Sequence, residues 1–351
     1  MPTARAYCIA APDAPFHPTT IERREPSADE VAFDVLFAGI CHSDIHTARS
    51  EWGPAHYPLV PGHELAGIVT KVGENVTNFK IGDHVGVGCF IDSCRECESC
   101  LAGAEQFCTG PGRTIWTYNT LDRYAKYTDG GYSTAITVDA KYLLHIPNSL
   151  PLAEAAPLLC AGITTYSPLK KWGAGVGKKV AIVGMGGLGH VAVKIAHAMG
   201  AEVSVISQTL SKEADGRAFG ASDYVATSEP GALKRLAGTF DLVLSTVAAE
   251  EDITPLVATC KRGGVFVDVG MPAGKSQLAL RALCGSQAVV AASMIGGIRE
   301  TQEMLNFCGE HGITATVEII SGDQITQAYD NVVASKVRYR YVIDTSTFPE
   351  N

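Results

Sequence analysis

Cys94, Cys97 and Cys100 stand three residues apart in the stretch CRECESC, and Cys108 follows in AEQFC. Thiols so closely spaced can pair as disulfides, cycle as a redox switch, or bind a metal, either in a nucleic-acid-binding ribbon or as a structural clip. A second set is dispersed. Cys41 lies in AGICHSDIH, His63 in VPGHELAG and Cys160 in APLLCAGITTYSP, each on an apolar, glycine-containing loop. Two thiolates, one imidazole and an open position form a known donor set for catalytic zinc. Spacing alone does not join these three, and each taken singly reads as a buried cysteine or histidine.

Composition narrows the choice. A chain of 351 residues, 46% hydrophobic and 19% charged, can bury the cores of two ordinary domains and is not a disordered one. A formal charge of −9 without a long basic run disfavours a protein that tracks phosphates on nucleic acid. The N-terminal MPTARAYCIAAPDAPFHP is broken by prolines and has no sustained apolar segment, so no signal peptide is expected. No apolar run is long enough for a membrane span. Eleven cysteines without a secretion signal point to metal binding in a reducing compartment, the cytosol.

The elements that must position these residues come in two rhythms. Residues 1–155 read as short strands with turns (VAFDVLFAGI, ELAGIVTKVG, HVGVGCF, STAITVD), punctuated by glycine, asparagine and proline. Residues 156–295 alternate apolar strands (KKVAIVG, EVSVIS, DLVLSTV, GVFVDVG, AVVAAS) with helices such as GHVAVKIAHAMG. That alternation predicts a doubly wound parallel sheet covered on both faces. Residues 296–351 offer a helix, a strand ATVEII, another helix and a closing YRYVIDT. They hold too little apolar material for a separate domain and are expected to rejoin the first one.

In VAIVGMGGLGHVAVK, Gly184, Gly186 and Gly189 fit G-x-G-x-x-G directly after a strand and at the start of a helix. The first permits a tight turn, the second lets backbone approach a pyrophosphate, and the third lets helix and strand pack closely. Met185, Gly187 and Leu188 complete the loop, whose helix N-terminus offers N–H groups to phosphates. The following strand ends in ISQTLSK rather than in the acidic residue that grips a ribose hydroxyl. Ser207, Gln208, Thr209 and Lys212 there suit a 2′-phosphate, so NADP(H) is the expected cofactor.

The whole arrangement resembles the zinc-dependent medium-chain alcohol dehydrogenases, and within them the cinnamyl alcohol dehydrogenase group. GICHSDIH, PLVPGHELAGIVTKVG, GCFIDSCRECESCLAGAEQFC, GGYSTAITVD, PLLCAGITTYSPLKKW, GMGGLGH and SMIGGIRETQEMLNFC carry the resemblance over nearly the whole chain. It implies an α/β fold in which a GroES-like β-rich catalytic domain (1–155 and 296–351) is split around a Rossmann cofactor domain (156–295). It makes Cys94, Cys97, Cys100 and Cys108 a closed structural zinc site that clamps a loop lacking its own core.

Carried over position by position, the resemblance makes Cys41, His63 and Cys160 the catalytic zinc ligands. Glu64 is a carboxylate able to take the fourth position, and Asp44 a residue that orients the site. Ser43 and His46 become a proton relay bridged by the nicotinamide ribose, while His42 has no assigned role. Cofactor contacts fall to Ser43, Thr164, Thr246, Gly270, Ser293, Met294 and Ile295. Trp52, Tyr57, Trp116 and Ile295 become candidates for an apolar substrate pocket, which favours apolar alcohols and aldehydes. The segment RTIWTYNTLDRYAKYTDGGYS departs from the plant enzymes, so a preference for cinnamyl substrates does not follow. A homodimer is the implied assembly. A zinc-dependent polyol or sugar dehydrogenase, whose pocket would be polar, is the alternative within the superfamily. A zinc-ribbon interaction protein that has lost catalysis would require a broken active site, and every catalytic position is present. The same residues exclude a zinc-free quinone reductase.

Overall fold

Apolar runs that alternate with helices build one of the two compact units into which the chain divides, Ala161–Ile295. The computed structural model describes residues 2–272 and 274–350. In this unit six strands lie in the order Asp223–Ala226, Glu202–Ser207, Lys179–Val183, Phe240–Ser245, Cys260–Asp268 and Val289–Ala292. All neighbouring pairs are parallel. Val180, Ile182, Val203, Val205, Val243 and Phe266 are almost completely buried, as strands covered on both faces require. The order reverses at Lys179–Val183, and the loop that leaves this strand carries the glycine motif. In open α/β sheets ligands bind at that reversal, beyond the carboxyl ends of the strands.

The other unit joins the chain up to Cys160 with the chain from Gly296 onward. Its seven-stranded sheet runs Val317–Ile320, Arg340–Asp344, Glu30–Gly39, Leu65–Val72, His84–Val87 and Leu144–His145, with Ala135–Asp139 also pairing Glu30–Gly39. The C-terminal segment therefore completes the N-terminal sheet: Val342 pairs with Gly39 and Ile343 with Ala38, antiparallel. Ile9, Ile40, Ile45, Leu59, Tyr132, Ile325, Tyr329, Ile343 and Phe348 form a shared core, so residues from both ends of the chain bury one another.

The stretch containing the clustered cysteines forms only two short turns of helix, Glu98–Leu101 and Glu105–Phe107. It docks on the long helix Ile298–His311, whose N-cap is Gly297 and offers no side-chain cap. Glu105 takes that role from outside, its Oε2 accepting the Ile298 N–H at 3.2 Å. Arg299 returns a bond to the Ala102 carbonyl at 3.2 Å. A carboxylate at a helix N-terminus satisfies an orphan donor and complements the helix dipole. Among the described residues no helix is long and apolar enough to cross a membrane.

Candidate functional site

The short helix His42–Ala48 begins at Cys41, whose extended backbone (φ −115°, ψ 157°) is that of an N-cap. Asp44 closes a capping box: its Oδ2 accepts the Cys41 N–H at 2.9 Å. The same carboxylate reaches a second stretch of chain, where Oδ1 accepts from His63 Nδ1 at 2.9 Å and from the Gly62 N–H at 3.2 Å. With Nδ1 donating to Asp44, the lone pair of His63 Nε2 is the one left for a ligand. Gly62 holds φ +107°, and a Cβ there would lie 2.6 Å from the Tyr132 ring, so the turn that delivers His63 needs glycine.

Cys160 arrives from the end of the turn Ala156–Leu159, immediately before the helix Ala161–Lys171. Its sulfur lies 3.9 Å from that of Cys41. The donor atoms of Cys41, His63, Glu64 and Cys160 all fall within 4.8 Å of one another, and all four residues are buried. A tetrahedral zinc with metal–sulfur bonds of about 2.3 Å separates its sulfurs by about 3.8 Å, so the two thiols fit that ion. The hydrogen bond from Cys160 holds the Cys41 thiol well below the ordinary cysteine value, which favours the thiolate a metal takes.

Glu64 is fully buried, and burial pushes its carboxyl up to about 8 against the pull of Arg340. Arg340, itself 4% exposed on the strand Arg340–Asp344, donates through Nη2 to Glu64 Oε1. The other oxygen, Oε2, is buried with no hydrogen-bond partner. An orphaned carboxylate oxygen among two thiols and an imidazole is the atom expected to approach a cation there. Gly39 makes room for it, since a Cβ at that position would lie 2.0 Å from Oε2.

Ser43 Oγ sits 3.7 Å from Cys41 Sγ. His46, on the same short helix, turns Nδ1 to the Glu51 carboxylate and stacks on the Trp52 ring at 4.7 Å. His42 and His46 stand 6.1 Å apart, ring to ring. Trp52 is 43% exposed. Tyr57 ties its hydroxyl to the Ser50 hydroxyl at 2.9 Å and donates to the Ala48 carbonyl at 2.8 Å. Trp116 is half-buried, edge-on to Phe90 at 6.4 Å. Ile295 belongs to the other unit, where it is buried with φ +40°.

The clustered thiols form a second, four-sulfur group. Sulfur separations are 3.8 Å for Cys94–Cys100, 3.5 Å for Cys97–Cys100 and 4.0 Å for Cys97–Cys108. These again match the edges of a tetrahedron around zinc. Backbone N–H groups point inward: those of Glu96 and Cys97 reach Cys94 Sγ at 3.5 and 3.3 Å, and that of Cys94 reaches Cys108 Sγ at 3.4 Å. The N–H groups of Cys100 and Thr109 hold the Cys97 thiol down to about 5. A Cβ at Gly110 would lie 2.3 Å from Cys94 Sγ, so the chain passes too close to the sulfurs for any side chain.

In the other unit Gly184 turns at φ +90°, and a Cβ there would lie 2.8 Å from Thr246 Oγ1. Thr246 in turn donates to the Val183 carbonyl at 2.9 Å. A Cβ at Gly189 would lie 2.0 Å from the Gly184 carbonyl oxygen, whereas one at Gly186 would meet nothing within 4 Å. Two glycines are thus needed for packing, and the middle one leaves open the face a pyrophosphate would approach. Gly270 packs against the Val247 backbone, and the Ser293 N–H bonds the Asp268 carbonyl at 3.0 Å, placing Ser293, Met294 and Ile295 just past the edge strand. Thr164 lies buried in the helix Ala161–Lys171. Ser207 ends its strand, Gln208 follows, and Thr209 bonds Ser211 at 2.9 Å. Lys212 Nζ donates to the Met185 carbonyl at 2.9 Å, which brings its ammonium against the loop containing Gly187 and Leu188.

Several residues of these sites went unnoticed in the sequence. Arg340 left one trace, an arginine within the apolar closing strand RYVID. Glu51 left none, because only folding brings it to His46. Cys89, half-buried after the strand His84–Val87, joins Cys41 in pushing the Cys160 thiol well above the ordinary cysteine value. His190, fully buried, sets Nδ1 3.1 Å from the Gly186 carbonyl and so braces the glycine loop.

The chain is similar to known proteins along nearly its whole length. Residues 27–148 match the family model of the alcohol dehydrogenase GroES-like domain, and residues 187–310 that of the zinc-binding dehydrogenases. The chain is 56% identical over 347 residues to NADP-dependent alcohol dehydrogenase C 1 of Mycolicibacterium smegmatis, covering 99% of each. A cinnamyl alcohol dehydrogenase of Sorghum bicolor superposes with a TM-score of 0.95 at 41% identity, covering 100% of both chains. The corresponding Helicobacter pylori enzyme, complexed with NADP(H), gives 0.91 at 40% identity over 98% of each.

The two donor sets predict two zinc ions per chain. Cys160→Ser is expected to abolish turnover while leaving the fold and about one bound zinc. Cys100→Ser is expected to lower thermal stability or solubility instead, because the loop relies on its clip. Elemental analysis of fully active wild-type protein checks this, and a single zinc would remove the two-site assignment.

Proposed function

The chain belongs to the zinc-dependent medium-chain alcohol dehydrogenases, and from that premise we propose how its residues interconvert primary alcohols and aldehydes with NADP(H). The observation that carries this reading is the convergence of Cys41, His63 and Cys160 on one buried point, with Asp44 orienting the imidazole. Zinc bound there supplies Lewis acidity toward the substrate oxygen, and the nicotinamide supplies or accepts hydride.

The protein's own residues do the remainder. Asp44 fixes His63, and Glu64, with one oxygen left without a partner, would hold the position that substrate takes. Ser43 accepts the proton of the alcohol and His46 delivers it to water. Glu51 keeps His46 oriented through Nδ1, and Trp52 covers its ring. Trp52, Tyr57 and Trp116 give the substrate an apolar surround, which favours aliphatic or aromatic aldehydes over sugars. Kinetics on a panel of aliphatic, aromatic and polyol substrates test this. A clear preference for polyols would replace it with the polyol dehydrogenase reading.

Both metal sites need reduced thiols, which supports a cytosolic protein. The edge strand Val289–Ala292 has a single neighbour and exposes Val289 and Val290 at 43% and 37%. Such an edge invites pairing with a second copy about a two-fold axis, so a homodimer is the proposed assembly. Sedimentation is expected to show a dimer in the wild type and a monomer for Val290→Lys. A monomeric wild type would exclude the pairing.

The relay has its own signature. His46→Gln is expected to slow alcohol oxidation chiefly at low pH, where expelling a proton unaided is hardest. Ser43→Ala is expected to cost more, about 10²–10⁴-fold, as removal of a positioned proton-transfer group does. Unchanged pH–rate profiles in both variants would rule the relay out.

Preference for NADP(H) rests on Ser207, Gln208, Thr209 and Lys212, with no carboxylate at the end of Glu202–Ser207, and is in line with the names of the relatives. A hydrogen bond to a charged group contributes roughly 1.5–3 kcal/mol, so Lys212→Ala is expected to weaken NADPH binding about 10- to 150-fold and barely alter NADH. Ser207→Asp is expected to shift preference toward NADH by repelling one cofactor and binding the ribose of the other. Comparison of kcat/KM for the two cofactors with one aldehyde decides it. A wild type at least as efficient with NADH would end this reading without touching the zinc chemistry.

A further inference from the structure

Behind each metal site stands a buried tyrosine whose hydroxyl bonds a partner of a candidate ligand. Tyr132, with no exposed surface, points its hydroxyl at Asp44 Oδ2 at 3.4 Å. Tyr329, on the helix Ile325–Val333, donates to the Tyr132 hydroxyl at 3.3 Å. The resulting chain runs from Tyr329 through Tyr132 and Asp44 to His63. At the other site the Tyr142 hydroxyl lies 2.7 Å from Ser93 Oγ, which lies 3.1 Å from Cys100 Sγ. Tyr142 is 3% exposed, and the Arg95 guanidinium lies over its ring at 5.2 Å. Both tyrosines flank one strand, Ala135–Asp139: Tyr132 precedes it and Tyr142 ends the turn that follows.

We infer that Tyr132 and Tyr142 are positioning residues, one for each metal, each acting through a single intermediate side chain. This rests on the proposed ligand sets. A phenol donating to a buried carboxylate removes one of the orientations Asp44 could otherwise adopt, and Asp44 fixes the direction of His63 Nε2. Without the hydroxyl, Oδ2 keeps only the Cys41 N–H as donor in a site closed to water. In the lobe, a tyrosine hydroxyl donating to Ser93 leaves the serine proton for the sulfur of Cys100. That hydrogen bond withdraws charge from the thiolate and holds it in place. The two chains share a strand and differ in everything else, so each is expected to govern its own metal alone.

Release of zinc into an excess of chelator, followed with a coloured indicator, tests this on the holoprotein. Cys160→Ser, retaining only the lobe metal, identifies which phase belongs to which site. Tyr132→Phe is expected to speed loss of the catalytic zinc roughly tenfold, the low end for outer partners of metal ligands, and to leave the lobe phase at its wild-type rate. Tyr142→Phe is expected to do the reverse. Tyr329→Phe, one step further out, is expected to move the catalytic phase in the same direction by less. Ser93→Ala is expected to match Tyr142→Phe, and the double variant to add nothing, since the tyrosine acts through the serine. A Tyr132→Phe protein that loses both metals faster, or neither, overturns the inference, because the first means lost packing and the second no role. A wild type releasing only one zinc overturns the ligand assignment first and this inference with it.

Discussion

The carboxylate of Asp44 is fully buried, and that fact governs the arrangement around it. A charge with no access to water must be met by donors, and here they come from three separate stretches: the Cys41 backbone, the Gly62 backbone with the His63 ring, and the Tyr132 hydroxyl. Satisfying one side chain therefore fixes the start of a helix, a turn and the entry to a strand relative to one another. The ligating side chains inherit that order. Cys41 is placed because it is the N-cap of the helix whose third residue is Asp44, and His63 because its Nδ1 has one acceptor within reach.

A second buried charge ties in the chain's end. Glu64 follows His63 and is paired with Arg340, which belongs to the closing strand of the same sheet. Removing Glu64 would leave the Arg340 guanidinium uncompensated in the interior, a change that typically costs about 3–5 kcal/mol. This gives the return of residues 296–351 a chemical consequence beyond completing a sheet. The segment delivers the cation that makes a buried carboxylate next to a metal ligand tolerable. Gly39, paired with Val342 in that same ladder, leaves the space the carboxylate fills.

These dependencies explain what could be read from the sequence. The glycine loop was legible because its three glycines, the strand before and the helix after lie in one contiguous stretch and do local work. The four clustered cysteines were legible for the same reason, since their ligand spacing is set by the loop they fold. Cys41, His63 and Cys160 were different: nothing local joins them, and only resemblance over the whole chain did. Arg340, Glu51, Tyr132 and Cys89 were further out of reach, because each acquires its partner through tertiary packing and none sits in a recognisable spacing. The resemblance makes Trp52 a pocket candidate, and nothing local reveals that its ring lies on His46.

The same contrast separates the two metal sites physically. Around Cys94, Cys97 and Cys100 the side chains are only half-buried, and the loop has two short turns of helix and no core of its own. Order in such a loop would come from the ion together with the bonds that Glu105 and Arg299 make to the helix it docks on, so metal binding there would be coupled to local folding. Around Cys41, His63 and Cys160 the ligands are buried and already aimed by hydrogen bonds to protein groups, before any ion is considered. Binding at that site needs little reorganisation, and the free energy of the metal can act on the bound oxygen rather than on the chain. The closed four-sulfur set spends all its ligand positions on structure. The dispersed set has only three such donors besides Glu64, whose carboxylate, with one oxygen left unpaired, lies in the same group.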